Sequence, residues 1–275
     1  MGCGASAAAP DEKKPRSGRR YSTGSADLAL ADVDSDDESI PPPDPLSPMD
    51  VARKTVANKG WICDDYHIDR HVAHRSFGTV VRRAFHKRSQ SHRMIRQFDT
   101  AKLSLESVIE EAGLLEILCN HPNVIRLHET FRDGSSFWFV MEACDGGRLA
   151  DEIRECTVLN ERESSTVLQQ LLRALMYVHG HNIAHLCIKP EHILLKNRAL
   201  LAECELKLIG FARSKLFRDG EYFSDPDSGV PFYNAPEVAE GKYSHLCDVW
   251  SCGVVLHVCL CGFPKKEKKR QGSKR

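Results

Sequence analysis

No stretch of this chain is apolar for long enough to cross a bilayer; the longest run, around Gly253 to Leu260, falls far short of the ~20 residues a crossing needs. The 11 cysteines contain no C-x-x-C pair and follow no secretory leader. Scattered thiols of that kind argue against a disulfide scaffold and for a reduced, intracellular chain. Net charge is also missing: 38 Lys and Arg face 38 Asp and Glu. With no global field, nucleic acid is not expected as a partner. Calcium is not expected either. Asp32, Asp34 and Asp36 imitate the start of an EF-hand loop, but its sixth position, which needs Gly, is Asp37, and its twelfth, which needs Glu, is Pro43. What the chain does have is length and apolar content. Its 275 residues are 41% hydrophobic, enough for one large domain or two ordinary ones with a real core.

Composition divides the chain. Residues 1–60 are rich in Ala, Ser, Pro and charge and carry no helical or strand period, so a disordered arm is expected there. Within it a basic block (Lys13, Lys14, Arg16, Arg19, Arg20) precedes an acidic one (Asp32 to Glu38), and Pro41 to Pro48 form a stiff spacer. From Trp61 the pattern turns to short β-rich runs such as Gly78-Thr79-Val80-Val81, then to a helix from about Ser104 to Leu118, then to a buried strand at Phe137 to Met141. Beyond Leu149 helical periodicity dominates, with Leu168, Leu171, Leu172, Leu175 and Val178 on one face. A strand-rich lobe over 61–142 and a helical lobe over 143–264 are expected, followed by a solvated basic tail over 265–275.

An ordered set of short motifs runs through both lobes: His121-Pro122-Asn123-Val124-Ile125, Val140-Met141-Glu142, Gly146-Gly147, His185 to His192, Ala235-Pro236-Glu237 and Asp248-Val249-Trp250-Ser251. Any one alone is weak, whereas all in order are highly specific. Over roughly Asp65 to Pro264 the chain resembles the eukaryotic protein kinases, closest to the calcium-dependent and calmodulin-dependent serine/threonine branch. The resemblance implies an α+β, bilobal fold with a strand-rich N-lobe and a helical, incomplete C-lobe. It also implies a nucleotide site, and the positions that match it are degenerate.

In the family's catalytic loop an Asp accepts the substrate proton and an Asn helps hold magnesium; this chain has Cys187 and His192 there. A thiol is a poor substitute base. The metal-binding Asp-Phe-Gly reads Gly210-Phe211-Ala212, so both metal ligands are absent. The Gly-rich loop places Ala73, Arg75 and Gly78 at the glycine positions, followed by Val80. Arg75 either obstructs phosphates, while offering them charge, or simply faces solvent. The strand that should carry Ala-x-Lys reads Met94-Ile95-Arg96, with Met94 projecting into the adenine space. Arg96 can pair with Glu111, as a structural pair or as a nucleotide contact. Glu142 and Leu194 complete the family-matched nucleotide positions. No cofactor is expected, ATP at most weakly, and magnesium is not expected.

The shape-bearing positions survive: the resemblance places His185, Phe211 and Leu115 in a stack joining the lobes and has Asp248 hold the catalytic loop. Leu186 removes the Arg that would receive a phosphate on Ser224 or Ser228. The cluster His181, His185, Cys187 and His192 has zinc-type ligands but fits no zinc spacing, and His185 belongs to the core by resemblance. The family's C-lobe continues beyond the point where this chain stops. Glu237 is therefore expected to lack its Arg partner, and Val254, Leu256 and Val258 their cover.

At the amino terminus Met1-Gly2-Cys3-Gly4-Ala5-Ser6 fits the myristoylation pattern, with Cys3 placed for palmitoylation. One acyl chain binds membranes marginally, and the basic arm supplies a second signal, which Ser22 phosphorylation would weaken. The expectation is a cytoplasm-facing peripheral membrane protein, a pseudokinase that scaffolds or regulates an active kinase or a client. A divergent serine/threonine kinase is the alternative, and a truncated fragment without independent function the third reading.

Overall fold

Phe137-Trp138-Phe139-Val140-Met141 contains no polar residue, as a strand buried on both faces requires. In the computed structural model, which describes residues 60–133, 136–225 and 230–264, it lies within β5 (Ser136–Glu142) of a five-stranded antiparallel sheet. The other strands are β1 (Tyr66–Ser76), β2 (Thr79–His86), β3 (Ser91–Asp99) and β4 (Leu127–Asp133), in the order β1-β2-β3-β5-β4. Side chains alternate across the sheet. Phe98, Phe137 and Phe139 point into the main core, while Ile95, Trp138 and Val140 join Tyr66, Ala84 and Phe131 in a smaller cluster on the outer face. Each such aromatic, fully buried, contributes ~1.5–3 kcal/mol.

Helix α1 (Leu105–Ile117) lies against β4 and β5 and buries Val108, Ala112, Leu114 and Leu115, agreeing within a residue with the helix expected from Ser104 to Leu118. The helical lobe follows. Its short three-stranded sheet has the order β6-β8-β9, built from β6 (Gly147–Arg148), β8 (Ile193–Leu195) and β9 (Leu206–Leu208). A second pair joins β7 (Ile183–Ala184) to β10 (Lys215–Leu216). Helices α2 (Leu149–Cys156), α3 (Glu161–Gly180) and α4 (Cys247–Cys261) complete it. Asn160 and Glu163 form a reciprocal capping box that starts α3. Its inward face carries Val167, Leu171, Ala174, Leu175 and Val178, with Leu168 and Leu172 half-buried at the margin.

All described residues lie in one compact unit, and a single apolar core runs from Phe98 and Leu115 in the sheet lobe to Leu171 and Val255 in the helical lobe. Helix α4 is apolar all round, and only one side is covered. Val258 is fully buried, so it does not belong to an uncovered face as expected from sequence. The outward side instead presents Leu246, Val249, Trp250 and Leu260. Glu237 forms no ion pair among the described residues.

Candidate functional site

The sheet lobe and the helical lobe are joined through residues 143–146, and a cleft of about 710 Å³ opens between them. That is within the usual size for a small-molecule site. Its roof is set by strand register. Met94 and Arg96 on β3 share a face, and Arg96 lies opposite Val81 on β2, so Val81 lines the cleft with them. Val80 lies opposite Gln97 and turns to the outer face, a correction to the sequence reading. Two register shifts in β1, on either side of Val72, set His74 opposite Val81 and so bring it into the lining. Ala73, Arg96, Glu111, Glu142, His192, Leu194 and Gly210 do converge on the cleft. Arg75, Gly78 and Cys187 do not line it. Arg75 is exposed on the outer face. Gly78, with φ of 66°, closes the β1–β2 hairpin, and a Cβ there would come within 2.8 Å of the Leu103 side chain.

Arg96 and Glu111 form an ion pair at 2.8 Å, with the guanidinium also over the Phe98 ring at 4.4 Å. Glu111 is only 3% exposed and Arg96 23%, so this pair ties α1 to β3 inside the lobe. A planar fork held by a carboxylate and a ring is poorly placed to follow phosphates as a flexible ammonium would.

On the floor, His192 decides what the cleft can hold. Its Nδ1 lies 2.8 Å from the carbonyl of Cys187, which can only accept, so Nδ1 carries the proton. Burial, with the nearby His185 and Lys189, pulls its pKa down to about 3, and the ring is neutral at physiological pH. Gly210 sits directly beside it in the left-handed region, φ 93°. A Cβ added at Gly210 would lie 2.4 Å from His192 Nδ1. The imidazole therefore fills the space a carboxylate side chain at position 210 would need. Magnesium takes oxygen ligands in near-octahedral array, and this corner offers a glycine and a neutral ring, so the residues present do not fit that ion. Among the described residues no three His, Cys, Asp or Glu converge as a metal site.

Cys187 is buried, and burial raises its thiol pKa, so it remains protonated. Its amide donates to His185 Nδ1 at 3.2 Å, while His185 Nε2 donates to the Ile209 carbonyl at 3.0 Å. His185 is thus fixed in the opposite tautomer to His192, and its ring meets Phe211 edge-on at 4.8 Å. Beneath the loop, Asp248 accepts from the amides of His185 and Leu186, both at 2.8 Å, and lies 3.0 Å from His179 Nε2. Leu186 has φ of 59°, a strained conformation for a branched side chain, and these bonds hold it.

Glu142 contributes less to the cleft than its position suggests. Its carboxylate accepts from Lys196, from Lys207 at 3.1 Å and from the Arg126 amide at 2.9 Å. Burial alone would raise its pKa, but the bonds from Lys196 and Arg126 and the charge of Lys207 keep it below the usual carboxylate range. Sequence reasoning did not identify His74, Arg148 and Asp151 as lining residues. Arg148 directly follows Gly146-Gly147 and Asp151 comes one helical turn later, a signal that was available, whereas His74 depends on a bulge. Gly2 and Cys3 lie outside the described residues, as do Asp32, Asp34, Asp36 and Ser228.

The protein kinase domain profile matches residues 66–274. The chain is 35% identical over 210 residues to calcium-dependent protein kinase 5 of Plasmodium falciparum, covering 76% of this chain and 36% of that protein. It is 33% identical over 206 residues to calcium-dependent protein kinase 3 of Plasmodium yoelii yoelii (74% and 38%), and 36% over 162 residues to calcium-dependent protein kinase 14 of Arabidopsis thaliana (59% and 30%). It spans about a third of the length of these curated relatives. With its five-stranded lobe, interlobe cleft and His185–Phe211 contact held over Asp248, the chain belongs to the eukaryotic protein kinase superfamily, in the branch of the calcium-dependent kinases.

Proposed function

We propose that the chain is a pseudokinase, a kinase fold that binds and regulates a protein partner at a membrane without transferring phosphate. The observation that carries this reading is the packing of His192 against Gly210 at the place where the family's metal ligands stand. Phosphoryl transfer depends on positioning and on metal neutralisation of developing charge. Here the buried Cys187 thiol occupies the position of the base, and among the described residues no cluster of metal-ligating side chains takes the place of the lost pair. The framework that sets lobe orientation is intact, which suits a chain used for its shape. The partner is an active kinase or a scaffold client. The Gly2 and Cys3 acylation pattern, aided by the basic arm, supports a peripheral membrane location on the cytoplasmic side.

Purified chain incubated with labelled ATP and magnesium should neither label itself nor a general protein substrate. Magnesium-dependent labelling that disappears in Arg96→Ala would overturn the reading. It would favour a divergent kinase, whose support is the retained Arg96–Glu111 pair and the open cleft. A thermal-shift titration separates metal-free nucleotide binding, compatible with a scaffold, from metal-dependent binding, which is not. In cells, Gly2→Ala should move the protein to the soluble fraction, and unchanged fractionation would sink the anchor.

A further inference from the structure

The β1–β3 part of the sheet carries a charge imbalance that the cleft does not use. Between Tyr66 and Arg96 there are eight Lys and Arg and five His against one acid, Asp69, in a chain whose total charge is balanced. Register sorts these cations. Arg83 and Arg96 turn inward, where they meet Asp145 at 2.9 Å and Glu111 at 2.8 Å. Arg75, opposite Val80, and Arg82, opposite Val72 and Ile95, share the outer face. Arg70 lies in the irregular stretch of β1 between Ile68 and Val72. Arg70 and Arg75 are exposed, and none of these three is paired to a carboxylate among the described residues. Arg82 donates to the neutral Gln97 at 3.0 Å. The half-buried Val72 and Val80 sit between the arginines, and the hairpin tip presents Phe77, 77% exposed.

Protection of an edge strand explains cations on β1, which is such an edge. It does not explain Arg82, which is on an interior strand, and it would select against Phe77. Arginines interleaved with apolar side chains and an exposed aromatic are the pattern of a surface resting on lipid headgroups, with charge outside and the ring at the interface. We propose that the outer face of the β1–β2 hairpin, through Arg70, Arg75, Arg82 and Phe77, contacts anionic lipid headgroups. The proposal rests on the membrane reading for its setting, since acylation would bring the chain to the bilayer. Its chemistry is independent of the acyl chain.

The test uses full-length chain made without acylation and with Lys13, Lys14, Arg16, Arg19 and Arg20 changed to Gln, so that neither anchor nor arm contributes. It should co-sediment with phosphatidylserine vesicles and not with phosphatidylcholine vesicles, and less so as salt rises. Adding Arg70→Gln and Arg75→Gln should weaken binding about 30-fold, at roughly one headgroup-attracted charge each, with an unchanged melting curve. Phe77→Ser should weaken the binding that persists at high salt. Equal affinity with and without Arg70 and Arg75, or no vesicle binding, overturns the proposal. Retention on polyglutamate without vesicle binding also overturns it, and identifies an acidic protein as the partner of this face. Unchanged cell fractionation of Gly2→Ala would remove the anchor and leave this vesicle result standing.

Discussion

Two residues define what this corner of the cleft offers. His192 and Gly210 are complementary: the ring occupies the space that the missing side chain leaves. Gly210→Asp alone should therefore cost ~1–3 kcal/mol of stability through overpacking, although Asp tolerates the left-handed region better than most residues. Adding His192→Asn should recover most of that loss, a pattern that urea titration of the three variants would reveal. On the pseudokinase reading, neither change, nor Cys187→Asp, should by itself give phosphotransfer. Arg96 and Glu111 give a second, asymmetric case. Removing Arg96 leaves a carboxylate that is 3% exposed without its cation, which typically costs ~3–5 kcal/mol. Glu111→Ala should cost less, because Arg96 at 23% exposure can reach water; equal losses in denaturant midpoint would contradict this. The identities behind these effects were visible in the sequence, since Cys187, His192 and Gly210 stand at recognisable motif positions. The steric fit of ring against glycine was not, because it depends on the rotamer that the Cys187 carbonyl selects.

At the level of elements, the sequence was most informative where a period ran long. The α1 helix and strand β5 lie within a residue or so of where their apolar patterns placed them. Register escaped it. Regular alternation along β2 against β3 puts Val81 rather than Val80 over the cleft, and two irregularities in β1 add His74, where nothing in the residue pattern marks a bulge. The segment after Phe211 shows a further element-scale property. Where the family holds an Arg for an activating phosphate, Leu186 sits in an apolar cluster with Phe217, Val238 and Tyr243, and Phe217 stacks on His245 at 4.1 Å. The Phe217 amide also donates to the Asn182 carbonyl at 2.9 Å, next to the β7–β10 pair. Packing therefore holds this segment among the described residues without any phosphate. Phe217→Ala should thus loosen this segment, seen as faster tryptic cleavage after Lys215 and Arg218, while Ser224→Glu should leave the cleavage rate unchanged.

For the whole molecule, buried neutral imidazoles make stability depend on pH. Burial holds His192 to about 3 and also lowers the fully buried His185, against 6.5 for a free ring. Below about 6.5 the unfolded chain takes up protons that the native rings refuse, so stability falls with pH from there down to the native values and is fully present above that window. The slope approaches ~1.4 kcal/mol per pH unit for each such ring. Glu142, held low, acts in the same direction at more acidic pH. The urea midpoint should drop clearly between pH 7 and pH 5, and less in His192→Asn; a flat midpoint would contradict the assignment. Solubility should respond to the uncovered side of α4, where Val249 is 48% and Trp250 51% exposed. Val249→Lys with Trp250→Lys should reduce self-association in light scattering and leave the melting temperature unchanged. The Glu142 anchor bears on mechanics. Glu142 ends the last strand of the sheet lobe, and Lys196 and Lys207, which grip it, belong to the helical lobe. The Asp145 and Gly146 amides of the connector are bonded to the Lys196 and Leu195 carbonyls, both at 3.1 Å. Such a joint works as a clamped hinge, stiff against rocking of one lobe over the other. A partner that bridged both lobes would meet them at one preset angle and give up little orientational freedom in docking.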